Sequence, residues 1–311
     1  MSKNFDFTPA SWIPFRDKNV LEHCRNIRRE DMEKHENPDF RIKIVADVTS
    51  VFVADMFTRI KESDEQDKPL SFILPNPWAS AYSNVALLCN RFGVSCRNLH
   101  TFDMDEWANE DGEVAPLSYE AGLGHSFQKF FYEKLDPDLR PPEDHFHYPT
   151  TQNIKDYSKI IEDVTGGGVD VCYSATGWPG HIAFIDPDTE EFKAGSMEEF
   201  LTLGSRLVTQ HPLTVAENSL FGVFGKSGDV ANVPPRAATI GPRDIKAAKD
   251  RFEMHSLTFM GGVDTWQRMI SRLTLYGPVS MQVPASILQL FKTSVFVSEA
   301  IAQPFECWEA E

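Results

Sequence analysis

The sequence predicts an α/β protein with a doubly wound, mainly parallel sheet flanked by helices. Short apolar runs typical of strands, such as residues 70–75 (LSFILP) and 169–175 (VDVCYSA), alternate with longer stretches of helical periodicity. This alternation implies right-handed βαβ crossovers and parallel strands. The sequence contains no repeat, low-complexity tract or long Pro/Ser linker. We therefore expect one domain over residues 41–311, preceded by an N-terminal helical arm over residues 1–40.

The helical arm is predicted because Arg and Glu recur there at helical spacing (LEHCRNIRREDMEKHENPDF). A helix is predicted from residue 41, because apolar residues recur on one helical stripe at Val45, Val48, Phe52, Met56 and Ile60. The polar run DEQDKP ends this predicted helix. The later strands are predicted at 70–75, 98–104, 169–175, 206–210, 237–241, 255–262 and 279–284, and the helices at 79–92, 118–134, 243–251 and 264–275.

Charge and hydropathy exclude several classes of protein. The net charge of −16 argues against a nucleic-acid surface, because little would neutralise phosphates over a broad face. No apolar stretch approaches the ~20 residues needed to cross a bilayer. The N-terminus has no apolar core of signal-peptide length. We expect a cytoplasmic protein that binds neither nucleic acid nor a membrane.

Cysteine and histidine spacing predicts neither disulfides nor a metal site. The five cysteines are scattered and form no CxxC pair, which fits reduced thiols. His145 and His147 have the alternate spacing of two ligands on one strand face, but no third ligand is obvious. A polar loop that enters a strand explains them better.

Acidic residues follow one predicted strand, in the run FDMDEW (102–107). Open parallel sheets bind ligands outside the carboxyl ends of their strands. Asp105 and Glu106 are adjacent, so in an extended segment they face opposite ways. One can point into a cleft as a general base, because burial raises the pKa of a carboxylate, while the other turns to solvent or caps a helix. On composition alone, a purely structural acidic cluster is the commoner explanation.

A second strand end leads into the segment YSATGWPGHIAFIDP (173–187). His181 stands there between glycine-containing bends, and an imidazole is a natural proton shuttle near neutral pH. Asp186 can orient the imidazole if the loop folds back. A histidine with only a structural role is the alternative.

Together these motifs are familiar. TFDMDEWANEDG…LSY with GWPGHIAFIDP resembles the glucosamine-6-phosphate deaminase/isomerase family, whose active site has an NMDEY strand end and a GNDGHIAFNEP loop. The resemblance runs from about residue 41 to 300 and includes SRLVTQHPLTVAENS and VPPRAATIG. It implies the family's fold and a possible homo-oligomer. An aldose–ketose shift needs only acids and bases, so no cofactor is expected.

The resemblance also implies roles for the acids and the histidine. Asp105 matches the carboxylate that transfers a proton between C1 and C2 of an open-chain sugar, and Glu106 matches its acidic neighbour. His181 matches the histidine that assists ring opening by relaying a proton to the ring oxygen. Asp186 stands where the family has a glutamate that orients this histidine, and it reaches one methylene less far.

Departures from the family pattern concern the proton relay and the phosphate site. Pro179 replaces an aspartate two residues before the histidine and has no carboxylate. In LPNPWASAY (74–82) two glycines of the phosphate loop are missing, and Trp78 would crowd a phosphate nest. Leu220 stands where an arginine is expected, and Asp264 where a lysine is expected. We therefore expect a phosphate site that departs from the family and binds phosphate poorly.

The expected ligand is a small sugar or sugar phosphate. Trp78 and Trp178 suit stacking against a sugar face, with core or rim packing as the alternative. Arg206 matches a family arginine, and Ser80 offers a hydroxyl. The predicted substrate-binding residues are Asn76, Trp78, Ser80, Gly177, Trp178, Gly180 and Arg206.

The function predicted from these residues is that of a deaminase/isomerase-like enzyme of carbohydrate metabolism. It would transfer protons on an open-chain sugar or amino sugar. One alternative is a sugar lactonase, because the 6-phosphogluconolactonases share this fold and a Gly-His loop but usually show an Asp-Glu-Arg type signature. The other is a non-catalytic sugar-binding or regulatory protein, which Pro179 favours.

Overall fold

A parallel sheet forms the centre of the computed structural model, which describes residues 6–258 and 265–305. In chain order the strands are β1 (Phe40–Val45), β2 (Leu70–Leu74), β3 (Leu99–Asp103), β4 (Asp105–Ala108), β5 (Phe146–His147), β6 (Val171–Ala175), β7 (Arg206–Thr209), β8 (Arg236–Thr239), β9 (Asp250–His255) and β10 (Thr293–Ser298). Seven of them pair in the order β1-β10-β9-β6-β2-β3-β5, and every pair is parallel. The predicted doubly wound, mainly parallel sheet is confirmed.

Helices cover both faces of this sheet. Helices α2, α3 and α4 pack on one face, while α5 and α8 lie on the other. The helices are α1 (Lys18–Asn26), α2 (Val48–Gln66), α3 (Ala79–Phe92), α4 (Leu123–Phe130), α5 (Tyr157–Thr165), α6 (Met197–Phe200), α7 (Pro212–Asn218), α8 (Pro242–Ala247), α9 (Gln267–Tyr276) and α10 (Glu299–Ala302).

Strand β2 shows why both faces are buried. Leu70, Phe72 and Leu74 point to the face covered by α2 and α3, and Ile73 points to the opposite face. Successive side chains of a strand alternate between faces, so a strand covered on both sides needs a continuous apolar run. The run LSFIL meets that requirement.

A smaller antiparallel sheet, in the order β4-β8-β7, extends from the end of β3. Only Met104 separates β3 from β4; its N–H donates to Leu74 O at 3.1 Å, and its carbonyl accepts from Ile240 N at 3.0 Å. The predicted strands at 206–210 and 237–241 therefore exist, but they belong to this sheet and not to the parallel one. The sheet places Asp105 directly beyond the carboxyl end of β3.

The start of the first predicted helix is corrected by the structure. Residues 40–45 form β1, in which Phe40 and Ile42 are buried and Arg41 and Lys43 are exposed. Asp47 caps α2 by accepting from Thr49 N at 3.1 Å and Ser50 N at 3.2 Å, so the helix begins only at Val48. The apolar stripe predicted from Val48 to Ile60 is buried as expected.

Three further boundaries differ towards the C-terminus. The strand predicted at 279–284 is wrong: Ser280 and Val283 close a turn, a 3-10 helix follows from Pro284 to Leu290, and the last strand is β10, which lies between β1 and β9. The helix predicted at 243–251 ends at Ala247, and β9 begins at Asp250. The strand predicted at 255–262 overlaps β9 only at His255, and its residues 259–262 lie outside the described residues.

The N-terminal arm contains α1, which packs on α9 through Cys24, Ile270 and Leu273. The fully buried Arg272 of α9 ties the ends of two helices together. It donates to Ile27 O, just beyond α1, at 2.5 Å and to Gln303 O, just beyond α10, at 2.9 Å. A cation at helix C-termini satisfies carbonyls that have no intrahelical partner. Among the described residues, no helix is both long enough and apolar enough to span a membrane.

We expect Arg272→Met to lower the free energy of unfolding by about 3 kcal/mol, because two charge-assisted hydrogen bonds of about 1.5 kcal/mol or more each are lost. Urea unfolding measures this loss, and limited proteolysis tests release of the arm. The control is Arg243→Met, which removes an exposed ion pair with Glu162. Equal stability of the two variants would contradict the role given to Arg272.

Candidate active site

The site lies beyond the carboxyl ends of three adjacent strands, β3, β2 and β6. Segments that follow these strands enclose a cavity of about 70 Å³. This volume is small beside the ~300–1000 Å³ of typical ligand pockets, so a sugar ring requires the lining side chains to move. Polar side chains in the cavity wall come from Asn76, Asp105, Thr176, His181, Glu217, Asn218 and Gln267.

His181 is held by the residues around its Nδ1 atom. Nδ1 lies 2.6 Å from Asp186 Oδ1, and that oxygen also accepts from the Thr214 hydroxyl at 2.7 Å. The other carboxylate oxygen accepts from His211 N at 2.7 Å. Because a carboxylate only accepts, Nδ1 carries the proton, and Nε2 is the atom left for the cavity side.

The charge state of His181 depends on its acidic neighbours. Burial lowers the pKa of His181, but the hydrogen bond and charge of Asp186, with the charges of Glu217 and Asp105, outweigh burial and raise the pKa above its usual value. The imidazole is therefore protonated more readily than a free histidine, which suits a group that donates a proton.

Two glycines allow the loop to pass close to this imidazole. A Cβ atom on Gly177 would lie 2.0 Å from His181 Nε2 and 2.7 Å from Glu217 Oε2. Gly180 has φ +90°, a left-handed conformation that favours glycine. Its N–H donates to Gly177 O at 2.9 Å and closes the turn that presents His181. The glycine spacing of the motif is thus a geometric requirement of the site.

Asp105 and Glu106 face opposite sides of β4, and only Asp105 lines the cavity. Glu106 is turned towards the start of α4, where its carboxylate accepts from Leu123 N at 3.0 Å and Gly124 N at 2.8 Å. Glu106 therefore caps α4, and helix capping is one of the two roles predicted for the acid that does not face the cleft. The structure does not bring Glu106 together with Asp105 and His181 in the cavity wall.

Burial changes the pKa of both acids. It raises the pKa of Asp105 well above its usual range; the charge of Glu106 adds to this and that of His181 opposes it. Burial likewise raises the pKa of Glu106 to about 7, although three backbone N–H groups counteract it. A carboxylate whose pKa is raised above that of a free aspartate is a stronger base, which suits general base catalysis.

Of the predicted substrate-binding residues, Asn76 and Gly177 line the cavity. The Asn76 amide donates to Asp103 Oδ1 at 2.9 Å, while its Oδ1 is buried and accepts no hydrogen bond from the described residues. Ser80 is exposed and borders a neighbouring cavity of about 370 Å³ with Lys129. Asn76 therefore offers an acceptor to a ligand in the site, and Ser80 does not.

The two tryptophans do not border the cavity. Trp78 is buried in the core and stacks on Phe52 with ring centroids 4.6 Å apart, so the expectation that it stacks on a sugar is wrong. Trp178 is half-buried and stacks on Trp266 at 5.9 Å. Its contribution to the site comes through its backbone N–H, which donates to Glu217 Oε2 at 2.9 Å.

Arg206 lies on β7, away from the cavity. Its Nε atom donates to Gly204 O at 3.0 Å, and its guanidinium lies 4.7 Å from the centre of the Phe192 ring. The expectation that it binds substrate is not met by this position. Within the described ranges, neither lysine nor arginine lines the cavity that holds Asp105 and His181. Asp264, predicted to replace a lysine of the phosphate site, lies outside the described residues.

A buried polar network supports the loop that follows β6. The Thr176 hydroxyl donates to Glu253 Oε1 at 2.8 Å, and the Gln267 amide donates to Thr176 O at 2.8 Å. Burial raises the pKa of Glu253 to about 7 despite the hydrogen bonds from Ser174 and Thr176. Hydrogen bonds of this kind keep buried polar groups satisfied and hold a loop in one conformation.

Besides Thr176, Asn218 and Gln267, sequence reasoning missed one acidic residue of the site, Glu217. It lies in α7, is only 4% exposed, and borders the cavity beside His181. Its segment, LTVAENS, belongs to the run SRLVTQHPLTVAENS, which is part of the family resemblance. The spacing of Thr214 and Glu217, three residues apart on one helical face, was the available signal.

The histidines considered as metal ligands form a stacked cluster elsewhere. His145 stacks on His100 with centroids 3.6 Å apart, and His100 Nδ1 lies 3.2 Å from His147 Nε2. In the described part of the chain, no three His, Cys, Asp or Glu side chains are arranged to hold a metal ion. Burial, followed by the charges of His100 and His145, lowers the pKa of His147 to about 4.

Comparisons with known proteins identify relatives by sequence and by fold. No family model matches the sequence. A glucosamine-6-phosphate deaminase of Corynebacterium urealyticum is 30% identical over 220 residues, covering 70% of this chain and 74% of that protein. Glucosamine-6-phosphate deaminase 2 of Bacillus subtilis is 32% identical over 196 residues, covering 61% and 66%. A Lachnoclostridium phytofermentans deaminase is 29% identical over 171 residues, covering 53% and 62%.

Solved structures share the fold. A monomeric glucosamine-6-phosphate deaminase superposes with a TM-score of 0.66 at 18% identity, covering 84% of this chain and 98% of that one. A 6-phosphogluconolactonase from Leishmania guyanensis gives 0.55 at 12% identity, covering 86% and 98%.

Fold and site together define a class of α/β protein with a candidate acid–base site at the carboxyl ends of its parallel strands. Within it, this chain belongs to the glucosamine-6-phosphate deaminase family, as the sequence match to the Corynebacterium protein shows. The chain spans slightly under two thirds of the length of the Bacillus and Lachnoclostridium relatives.

We expect Gly177→Ala to displace the His181 ring, because an added methyl group cannot lie 2.0 Å from Nε2. The free energy of unfolding should fall by about 1–3 kcal/mol, as is usual for overpacking. Imidazole ¹⁵N chemical shifts and urea unfolding report the two effects. In the control, Gly195→Ala, the methyl meets only the flexible end of Glu199. Unchanged His181 signals in Gly177→Ala would refute the close approach.

We expect the histidine cluster to destabilise the fold in acid. His147 has a pKa of about 4 when folded and an ordinary value near 6.5, so the unfolded chain binds the proton first as the pH falls. Stability should decrease from about pH 6.5 to pH 4, by less than about 1.4 kcal/mol per pH unit from this partly exposed group.

Unfolding free energies of the wild type and His147→Phe across this pH range measure the effect, and the variant should show a shallower slope. His23→Gln, at an exposed position of α1, serves as the control. Identical slopes for His147→Phe and the wild type would count against the cluster as the origin.

Proposed function

We propose that this protein is a sugar isomerase or deaminase that moves a proton between C1 and C2 of an open-chain amino sugar. Asp105 acts as the base, and His181 acts as the acid that opens the sugar ring. The observation that carries the proposal is the convergence of two distant segments. Asp105 follows β3, His181 follows β6, and both side chains line one cavity.

The chemistry follows from the protonation states of the pair. The Asp105 carboxylate makes no hydrogen bond with the described side chains, so it is available to a carbon acid. Proton abstraction beside a carbonyl or imine requires such a base within reach of the reacting carbon. His181 presents Nε2 to the cavity while Asp186 fixes Nδ1, so a proton on Nε2 can pass to the ring oxygen as the C1–O bond breaks.

Charge in the cavity favours an amino sugar as the substrate. Asp105 and Glu217 are the acidic side chains in the cavity wall, and His181 is its only basic group within the described residues. A 2-ammonium group is complementary to such carboxylates, whereas a phosphate lacks the lysine and arginine that would neutralise it there. The relatives are named for a substrate that carries a 6-phosphate. We propose that a phosphate on the substrate of this chain is bound by residues other than those that bind it in the family.

A thermal-shift series tests this substrate class. Glucosamine should raise the melting temperature more than glucose, because only the amine meets the two carboxylates. Glucosamine 6-phosphate is the third arm, since a larger shift with the phosphate than with glucosamine would overturn the proposal that the phosphate site is weak. Equal shifts for glucose and glucosamine would overturn the role of the amine.

We expect Asp105→Asn to reduce proton exchange at C2 of the bound sugar by about 10²–10⁴-fold, the usual contribution of a general base. Exchange is followed by NMR in deuterated buffer, and the release of ammonia is measured in parallel. Asp111→Asn, at an exposed turn beyond β4, is the control and should exchange at the wild-type rate. Wild-type exchange in Asp105→Asn would rule out this base.

The two alternatives give other outcomes in the same assays. Hydrolysis of a sugar lactone without C2 exchange would identify a lactonase, whose fold this chain shares. Ligand binding by calorimetry without exchange or hydrolysis would identify a non-catalytic binding protein. Either result would replace the isomerase or deaminase proposal.

A further inference from the structure

Helix α7 contacts both sides of the His181 imidazole. Its Thr214 hydroxyl lies 3.2 Å from Nδ1, and its Glu217 Oε2 atom lies 3.8 Å from Nε2. Residues three apart project from the same helical face, so one helix can place a group at each end of the ring. His181 is thereby flanked by two carboxylates, Asp186 at Nδ1 and Glu217 at Nε2.

Glu217 is held in this position by the loop that follows β6, residues 176–187, which we call the Gly-His loop. Its Oε2 atom accepts from Trp178 N at 2.9 Å, and it would lie 2.7 Å from a Cβ atom on Gly177. A glycine at 177 is thus needed for the carboxylate as well as for the imidazole. Pro179, which follows Trp178, removes the carboxylate that the resemblance led us to expect from this loop. Residues 176–180, which precede His181 in the loop, therefore contain no acid, and the Trp178 N–H binds one from α7.

We propose that Glu217 is a positioning residue for His181, and that it supplies from α7 the carboxylate that Pro179 removes from the Gly-His loop. The inference rests on the proposed function for its catalytic meaning. The separation of 3.8 Å exceeds hydrogen-bond distance, so Glu217 acts on the imidazole through its charge. The Nε2 proton remains available to the ring oxygen of the sugar.

Other charged groups face the same imidazole and must be separated from the effect of Glu217. Asp186 binds Nδ1, and Asp105 lies across the cavity. His211, at the start of α7, is bonded through its backbone N–H to Asp186. The charges of Asp186, Glu217 and Asp105 all favour the imidazolium, and a charged His211 would oppose it. Removal of Glu217 alone leaves the other three in place.

The test is an NMR titration of His181 in Glu217→Gln, which removes the charge and keeps an acceptor for Trp178 N–H. We expect His181 to lose its proton about one pH unit lower than in the wild type. Glu217→Asp, which keeps the charge on a shorter side chain, should restore part of the shift. Asp244→Asn is the matched control, because Asp244 is also a buried carboxylate that accepts a backbone N–H but borders no part of the cavity.

Kinetics on the same variants give a second readout. In Glu217→Gln the alkaline limb of kcat/KM should move to lower pH by the same amount as the titration. An unshifted His181 titration in a folded Glu217→Gln would overturn the proposal, and so would an equal shift in Asp244→Asn. If Glu217→Gln does not fold, Glu217→Ala takes its place, and an unshifted His181 titration in that variant overturns the proposal instead. A shifted titration without any turnover would leave the role of Glu217 intact and contradict only the proposed function.

Discussion

The burial of one imidazole among acidic side chains is the constraint on which the site depends. Isolated charges are costly to bury, and each must be paired or hydrogen-bonded. Asp186 meets this condition through contacts with His181, the Thr214 hydroxyl and the His211 N–H, and Glu217 through the Trp178 N–H. These contacts tie α7 to the Gly-His loop, so the loop and the helix hold their positions together.

The parallel sheet brings the components of this arrangement to one place. Strands β3, β2 and β6 are neighbours, and their carboxyl ends lie at the same edge of the sheet. The side chains that follow them, Asp105, Asn76 and His181, therefore meet although they are far apart in the sequence. Glu253 and Gln267 hold the loop after β6 in place through hydrogen bonds with Thr176.

Local patterns revealed the parts of the site that depend on local geometry. The glycines and His181 stand in one motif, and Asp186 is near enough in sequence to be recognised as its partner. Trp78 could not be placed, because an aromatic residue beside a loop packs equally well in a core or in a cleft, and only the stack on Phe52 decides between them. Glu217 escaped notice because its role arises from the packing of a distant helix.

In the fold, too, the features that depend on local sequence were predictable and those that depend on distant contacts were not. Apolar runs such as LSFIL predicted strands correctly, since a strand buried on both faces needs continuous apolar residues. The sequence predicts a strand at 255–262 and not at β9 (DRFEMH), because charged residues interrupt the apolar run of β9. Two of these charged residues, Arg251 and Glu253, are nevertheless buried and hydrogen-bonded. The allocation of β7 and β8 to a separate sheet depends on long-range pairing, which the period of a segment does not encode.

The pairing of β4 with β8 decides which of two adjacent acids serves the site. Asp105 lies opposite Thr239, and the Thr239 hydroxyl also accepts from Phe184 N in the Gly-His loop at 3.1 Å. In a strand, a slip by a single residue exchanges the two faces. Such a slip would carry Glu106 into the cavity and turn Asp105 towards α4. The pairing of the backbone strands thus sets which of the two acids lines the cavity, and a deletion at Met104 would change it.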